Sequence, residues 1–154
     1  MANVKPIPDG YHTITPHIVV KDIRKAAEFY KKAFGAEERV MMPGPDGKSI
    51  MHGEMKIGDS PLMLGAENPQ WNSRGPVSLG GTPVTIALYV NDCDKSYKRA
   101  IDAGATVGMA PSDMFWGDRW AMVKDPDGHC WSIATHTSDP TPAQMMEGMK
   151  KMCT

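Results

Sequence analysis

Two histidines and a glutamate stand out as residues that could do chemistry. His17, His52 and Glu54 each fall on the more polar side of a segment whose apolar residues alternate as in a β-strand. Two imidazoles and a carboxylate form a familiar ligand set for iron or zinc. A neutral histidine beside a carboxylate is also a competent base near neutral pH. His52 and Glu54 are two residues apart on one segment, so a solvated or hydrogen-bonded polar face is a third interpretation.

The elements that must position these residues follow from apolar spacing and capping chemistry. The first histidine lies in a predicted strand over 13–20, and the second lies with the glutamate in another over 48–57. Asp22 is a predicted N-cap, because its carboxylate would accept amide hydrogen bonds at the start of a helix. The apolar residues that follow recur at helical spacing, which predicts a helix over 23–34.

The second half of the chain repeats the first. Asp92 lies 70 residues after Asp22, and Thr85 lies 70 after Thr15. Internal repetition of this kind indicates a duplicated unit, and two β-α-β-β-β modules are the natural interpretation. The predicted division is a single domain over 1–137, followed by a tail over 138–154 with a short helix. The domain consists of a first module over 13–64, a connecting loop or lid over 65–83, and a second module over 84–137 with its helix over 95–103.

A hairpin near the end of the second module gives the strongest local signal. Residues 118–136 alternate on both sides of Asp125-Pro126-Asp127-Gly128, a turn in which proline presets φ and glycine accepts a positive φ. The aromatic residues Phe115 and Trp116 lie just before it, in a segment over 109–116 that is predicted to be a loop. They could cap the mouth of a cavity or pack beneath that loop.

Composition narrows the class of partner. The net charge is −1, from 17 basic and 18 acidic residues, which gives no reason to expect binding to nucleic acid or to an anionic membrane. The 3 cysteines are odd in number and share no CxxC spacing, which favours a reducing cytoplasm. No apolar run reaches membrane-spanning length, and no secretion signal is expected.

Several of these motifs together resemble the vicinal oxygen chelate superfamily, which contains glyoxalases, extradiol dioxygenases and bleomycin- and fosfomycin-resistance proteins. The resemblance rests on the segments 20–23, 28–30, 34–36 and 123–128. Within the superfamily, the segments 15–17, 115–119 and 131–136 resemble the PhnB-like branch. The resemblance implies an α+β fold of two paired modules, each curling a mixed sheet into half of a cup with helices outside and a small-molecule ligand inside.

That geometry assigns the two faces of each strand. The residues expected to pack under the helices are Ile14, Ile18, Met51, Met55, Val84, Ile86, Leu88, Trp131 and Ile133. The residues expected to line the cup are Thr15, His17, His52, Glu54, Met63, Thr85, Tyr89, Trp120, Met122, Cys130 and Ser132. Tyr89 and Trp120 are interpreted as walls for a flat ligand or as ordinary core aromatics. His129 is expected to face solvent or a helix end, and His136 to lie too near the rim to matter.

The positions that hold the ion in metal-dependent members carry unsuitable residues here. The resemblance places them at Thr15, Met63, Thr85 and Ser132, none of which is a good ligand for a divalent cation. It therefore favours a small-molecule binding protein with an apolar cup and no cofactor. A divalent metal on a relocated site of His17, His52 and Glu54 remains the alternative.

Three hypotheses for function follow. The first is a metal-free binding protein, with Thr15, His52, Met63, Thr85, Tyr89, Phe115, Trp116, Trp120, Met122 and Ser132 as the predicted ligand contacts. The second is a lyase or isomerase of the glyoxalase type that uses His17 and Glu54 as an acid–base pair or the relocated metal site. The third is an interaction module whose cup is filled by its own side chains. A homodimer is expected because a methionine stripe in the tail, at 145, 146, 149 and 152, needs cover.

Overall fold

The computed structural model describes residues 4–152. The chain divides into two compact units, Met1–Gly81 and Thr82–Thr154. Each unit contains a four-stranded mixed sheet and at least one helix packed on one of its faces. The predicted α+β fold of two β-α-β-β-β modules is confirmed.

The first unit is built around a sheet of order β1-β4-β3-β2. Strand β1 is parallel to β4, and the other neighbours are antiparallel. Its elements are β1 (His17–Val20), α1 (Ile23–Phe34), β2 (Glu37–Pro43), β3 (Ile50–Ile57), β4 (Ser60–Ala66), a 3₁₀ turn (Pro69–Trp71) and α2 (Pro76–Leu79).

Helix α1 covers one face of this sheet. Asp22 caps it as predicted, with its carboxylate accepting from the backbone N–H of Lys25 at 3.1 Å. The buried side of α1 meets the strand residues that point towards it, and burial of each large apolar side chain contributes roughly 1.5–3 kcal/mol. The largest buried side chains of this core are Val20, Ile23, Tyr30, Met55 and Leu64.

The second unit repeats the plan with a sheet of order β5-β8-β7-β6. Asp92 caps its helix as Asp22 caps α1, with its carboxylate accepting from the N–H of Lys95 at 3.0 Å. Its elements are β5 (Thr85–Tyr89), α3 (Cys93–Asp102), β6 (Thr106–Asp113), β7 (Asp118–Lys124), β8 (Cys130–His136) and α4 (Pro142–Met152). Trp131, Ile133, Ala121 and Val123 are buried in its core.

The turn between β7 and β8 is held by a buried aspartate. The carboxylate of Asp125 accepts from the N–H groups of Asp127 and His129, at 3.0 and 2.9 Å, and from the indole N–H of Trp131 at 2.9 Å. These bonds draw the chain inward after the turn. Of the two expectations for His129, the solvent-facing one was therefore wrong, because the residue is buried.

Three residues expected to lie under helices are exposed. Ile14, 85% exposed, precedes β1, which begins later than predicted, and the exposed Val84 likewise precedes β5. Met51 lies beyond the reach of α1. Ile23, the first helical residue, already stands over Gly53, where an added Cβ would be 2.8 Å from the Ile23 side chain.

Two segments predicted to be loops contain regular structure. The segment 65–83 begins with the last residues of β4 and includes the 3₁₀ turn and α2. Most of the segment 109–116 belongs to β6, including Pro111. Proline is tolerated there because β6 is an edge strand and its register with β7 shifts between Met109 and Ser112.

Candidate functional site

The face of each sheet that lies away from its helix is here called the open face. Strand alternation and register place on the first open face, away from α1, the side chains of His17, Val19, His52, Glu54 and Met63. The second open face, away from α3, carries Thr85, Ala87, Tyr89, Asp118, Trp120, Met122, Cys130, Ser132, Ala134 and His136. All the predicted lining residues except Thr15 therefore lie on these two faces.

A string of polar groups crosses the first open face. The hydroxyl of Tyr11 donates to Oε2 of Glu54. Nε2 of His52 lies 3.3 Å from the other oxygen of the same carboxylate. The rings of His17 and His52 meet edge to face with their centroids 5.9 Å apart. The structure thus brings together His17, His52 and Glu54, and it adds a tyrosine that the sequence analysis missed.

Glu54 remains a carboxylate because of this string. The hydrogen bond from Tyr11 and, more weakly, that from His52 lower the pKa of Glu54 below its ordinary value, although partial burial opposes them. The same hydrogen bond raises the pKa of Tyr11. The pair therefore consists of an anionic acceptor and a neutral donor at physiological pH.

Two neighbouring residues, Gly65 and Arg39, contact the rings of this arrangement. The imidazole of His17 lies over Gly65, where an added Cβ would come within 2.9 Å of Nε2. On the other side, the guanidinium carbon of Arg39 stands 5.3 Å from the centre of the Tyr11 ring, within the range of a cation–π contact. Both contacts orient the rings that surround Glu54.

The residues at the four positions that the resemblance assigns to an ion do not fit a divalent-metal centre. Met63, Thr85 and Ser132 offer a thioether and two hydroxyls. Thr15 lies before β1, where its hydroxyl donates to the carbonyl of His12 at 3.0 Å, so strand alternation does not assign it to the open face.

The alternative set of metal ligands consists of His17, His52 and Glu54. Within residues 4–152, no group of three or more His, Cys, Asp or Glu side chains is arranged to hold a metal ion. The hydrogen bonds of Glu54 explain this for His17, His52 and Glu54, because both carboxylate oxygens already serve as acceptors within the string. This arrangement does not support the alternative metal site on these three residues.

A buried carboxylate organises the second open face. Asp118 is 4% exposed. Its Oδ2 accepts from the hydroxyl of Tyr89 at 2.9 Å and from the indole N–H of Trp116 at 3.0 Å. Nδ1 of His136 lies 2.8 Å from Oδ1, and the other ring nitrogen of His136 lies 3.1 Å from Asp139. The expectation that His136 does not matter is not supported by these contacts.

The charges of this cluster follow from its hydrogen bonds. Burial works to raise the pKa of Asp118, but the bonds from His136, Tyr89 and Trp116 outweigh it and lower that pKa. Asp118 and then Asp139 raise the pKa of His136. Hydrogen bonding to Asp118 raises the pKa of Tyr89, so the phenol stays protonated.

Aromatic rings continue from this cluster. Phe115 meets Trp116 edge to face with centroids 5.0 Å apart, and Trp116 meets Trp120 in the same way at 6.0 Å. Phe115 in turn contacts α4, because a Cβ added at Gly148 would lie 2.6 Å from its Cβ. Tyr89, Trp116 and Trp120, here called the aromatic wall, thus stand on rigid support.

The turn that presents Trp116 and Asp118 requires glycine between them. Gly117 has φ +99°, and a Cβ there would lie 2.1 Å from the carbonyl oxygen of Ser138. Its own carbonyl accepts from the N–H groups of Thr137 and Ser138 at 2.9 and 3.0 Å and from the Thr137 hydroxyl at 2.9 Å. The chain after β8 is thereby tied to the start of β7.

The remaining predicted contacts lie around these two centres. Met122 is half-buried beside Trp120 on the open face, and Ser132, its register partner, is buried. Thr85 is exposed at the start of β5, and Met63 is half-buried opposite both His17 and Glu54. Asp118 and His136 share the strand parity of Trp120 and Met122, so alternation alone could have placed them on this face. Nothing in the irregular lead-in distinguished Tyr11.

The comparisons with known proteins agree with this geometry. The family model of the Glyoxalase/Bleomycin resistance protein/Dioxygenase superfamily matches residues 10–133. The chain belongs to this superfamily. Uncharacterized proteins of Mycobacterium tuberculosis and Mycobacterium bovis are each 47% identical to it over 134 residues, which cover 85% of this chain and 75% and 84% of the relatives.

Solved structures with a similar fold include those of TioX and FosX. TioX from Micromonospora sp. ML1 has a TM-score of 0.65 and 24% identity, covering 81% of this chain and 98% of TioX. A mutant of the fosfomycin resistance protein FosX from Listeria monocytogenes, complexed with Mn(II), has a TM-score of 0.61 and 18% identity, covering 86% of this chain and 93% of FosX. At these identities the likeness shows the fold alone. In residues 4–152, no helix is long and apolar enough to cross a membrane.

Proposed function

We propose that this protein binds a small, flat, largely apolar molecule on the second open face and does so without a catalytic metal. The observation that carries the proposal is the buried carboxylate of Asp118, which fixes the orientation of Tyr89 and Trp116. Tyr89 is nevertheless 69% exposed. An exposed ring whose hydroxyl is already anchored loses little conformational entropy when a ligand stacks on it.

The chemistry around the aromatic wall supports the same ligand class. Trp116 and Trp120 are half-buried, and Met122 lies two residues after Trp120 on the same face of β7. Aromatic rings favour stacked or edge-on contact with flat molecules, and a thioether adapts to irregular shapes. Small-molecule binding sites are in general mostly apolar with a few fixed polar groups.

The test is thermal unfolding with a set of flat aromatic compounds, followed by titration of tryptophan fluorescence. A compound present at a hundredfold excess over its dissociation constant should stabilise the protein by about 2.7 kcal/mol. This raises the melting temperature of a chain of this size by roughly 5–10 °C. Trp120→Leu should weaken binding at least about tenfold, whereas Trp71→Leu, in an exposed 3₁₀ turn of the first unit, should not.

Two results would contradict the proposal. If no flat compound stabilises the protein, the aromatic wall has only a structural or interaction role. If purified protein carries stoichiometric metal that His52→Ala removes, the metal-free part of the proposal fails. Elemental analysis of wild type and His52→Ala, with titrations of nickel, zinc and iron, gives that answer.

A second candidate function is acid–base catalysis of a lyase or isomerase reaction on the first open face. The hydrogen bond between His52 and the anionic Glu54 favours it, because a carboxylate that orients an imidazole makes that imidazole a better base. His17 lies beside this pair. Turnover of a substrate that is abolished by His17→Ala or Glu54→Gln but kept in Trp120→Leu would favour catalysis over binding.

The expected homodimer and cytoplasmic location belong to the same proposal. Met146, Met149 and Met152 of α4 are exposed and would be covered in a dimer. Cys93 and Cys130 are free thiols, which suits a reducing compartment. Light scattering should give twice the monomer mass, and the monomer mass itself would refute the dimer.

A further inference from the structure

The hydrogen bonds of Tyr89 leave its oxygen with only one role towards a ligand. A phenol has one proton, and that of Tyr89 goes to Asp118. The proton on the indole nitrogen of Trp116 goes to the same carboxylate oxygen. The exposed Tyr89 oxygen can therefore accept a hydrogen bond but cannot donate one. It favours a ligand that brings its own N–H or O–H.

The hydrogen-bonded cluster behind the aromatic wall is negatively charged. Asp118 and Asp139 contribute two carboxylates, and the imidazole of His136 between them contributes at most one positive charge. The cluster thus carries at least one net negative charge at neutral pH. Asp118 is buried behind the rings, where water screens its charge less than at the surface.

The two cations of strand β7 are held away from Asp118. Lys124 shares the strand parity of Asp118 but lies six residues further along β7, about 20 Å away at strand spacing. Arg119 points to the opposite side, where its guanidinium binds Asp94 at 2.8 Å and Asp113 at 3.3 Å. Neither cation is placed to neutralise the carboxylate behind the rings.

We infer that the second open face selects an aromatic cation: a flat ring system that carries a positive charge and an N–H group. The inference rests on the proposed function. The faces of Tyr89, Trp116 and Trp120 attract positive charge through their π electrons. The Tyr89 oxygen accepts a hydrogen bond from the N–H group, and the carboxylate of Asp118 attracts the charge from behind the rings. A neutral ring gains only the stacking contact, and an anionic ring is repelled.

The test uses three tricyclic probes of nearly equal size at pH 8: the cation 9-aminoacridine, neutral acridine and the anion anthracene-9-carboxylate. Isothermal titration calorimetry on the full chain should give the cation roughly tenfold tighter binding than the neutral ring, with the anion weakest. Raising the salt concentration should narrow the difference between cation and anion.

Variants locate the source of the preference. Asp118→Asn should reduce the cation preference several-fold, and Asp102→Asn, which removes the same charge from an exposed site on α3, should leave it intact. If Asp118→Asn does not fold, Tyr89→Phe removes the acceptor from an exposed side chain and should also reduce the preference. Far-ultraviolet circular dichroism establishes which variants are folded.

The outcomes distinguish the inferred preference for a cation from the proposed binding function. Equal binding of all three probes, or an equal loss of preference in Asp102→Asn and Asp118→Asn, overturns the inference and leaves the proposed function standing. No binding of any probe to the wild-type protein overturns both.

Discussion

The two open faces occupy equivalent positions of a repeated scaffold but carry different chemistry. In the first unit Met63 of β4 pairs with both His17 and Glu54, and in the second unit Ser132 of β8 pairs with Ala87 and Met122. Two residues further along β4, Gly65 pairs with His52, whereas two residues further along β8, Ala134 pairs with Trp120. Polar residues of the first face thus correspond to apolar and aromatic residues of the second.

The helix-covered faces have not diverged in this way. Both helices begin with an aspartate cap, and both covered faces are buried and apolar. A covered face must fill its space at high packing density, so it accepts few residue types. An open face has no such requirement. One scaffold has therefore acquired a polar string on one unit and an aromatic wall on the other.

The largest expected difference between the faces concerns their central carboxylates. Asp118 is buried and accepts three hydrogen bonds, whereas Glu54 is half-buried and accepts two. Asp118→Asn should lower the free energy of unfolding by about 2 kcal/mol and Glu54→Gln by less than about 1 kcal/mol. Urea denaturation of both variants and wild type measures this. Equal losses would mean that the two carboxylates are structurally equivalent.

A smaller difference should appear with pH. The raised pKa of His136 means that its contribution to stability is fully present below about pH 6.5, the unfolded value, and is lost as pH rises through the folded pKa. The lowered pKa of Glu54 means that its contribution is present above about pH 4.3 and is lost as pH falls through the folded pKa. The two networks therefore weaken at opposite ends of the pH range.

Melting temperatures from pH 3 to pH 9 test this for each group. The difference in melting temperature between wild type and His136→Gln should disappear above neutral pH. The difference between wild type and Glu54→Gln should disappear at acid pH. Differences that remain constant with pH would show that neither network titrates as its hydrogen bonds indicate.

The smallest effect is expected at Gly65. Gly65→Ala places a methyl group against the far end of the His17 side chain, which can turn aside. We expect a stability change below about 1 kcal/mol, with a shifted His17 ring resonance in NMR spectra. Ala134→Gly at the equivalent position of the second unit should leave the aromatic wall unchanged. An unshifted His17 resonance in Gly65→Ala would show that the imidazole does not lie over this residue.

The fold could be predicted largely because its signals are local. The helix predicted over 23–34 has those bounds in the structure, and Asp22 caps it as expected. The turn beginning at Asp125 also lies where its residues indicated, closed by a bond from the Gly128 N–H to the Asp125 carbonyl at 2.9 Å. Capping and turn chemistry depend on residues a few positions apart, and those are visible in a sequence.

The site was harder to predict because its contacts are distant in sequence. Tyr11 reaches Glu54 across 43 residues, and Tyr89 reaches Asp118 across 29. Such pairs depend on strand register and on the path of an irregular lead-in, neither of which periodicity reveals. Strand alternation did assign the open faces, but it could not indicate which of their side chains form hydrogen bonds with one another.

Gly117 has a consequence for the variants that this chain tolerates. Its positive φ alone would admit asparagine or aspartate, as at Gly47, where φ is +66° and no atom lies within 4 Å of an added Cβ. At position 117 the Ser138 carbonyl blocks every side chain. In a saturation library selected for folded protein, codon 117 should therefore remain glycine, while codon 47 should accumulate asparagine and aspartate.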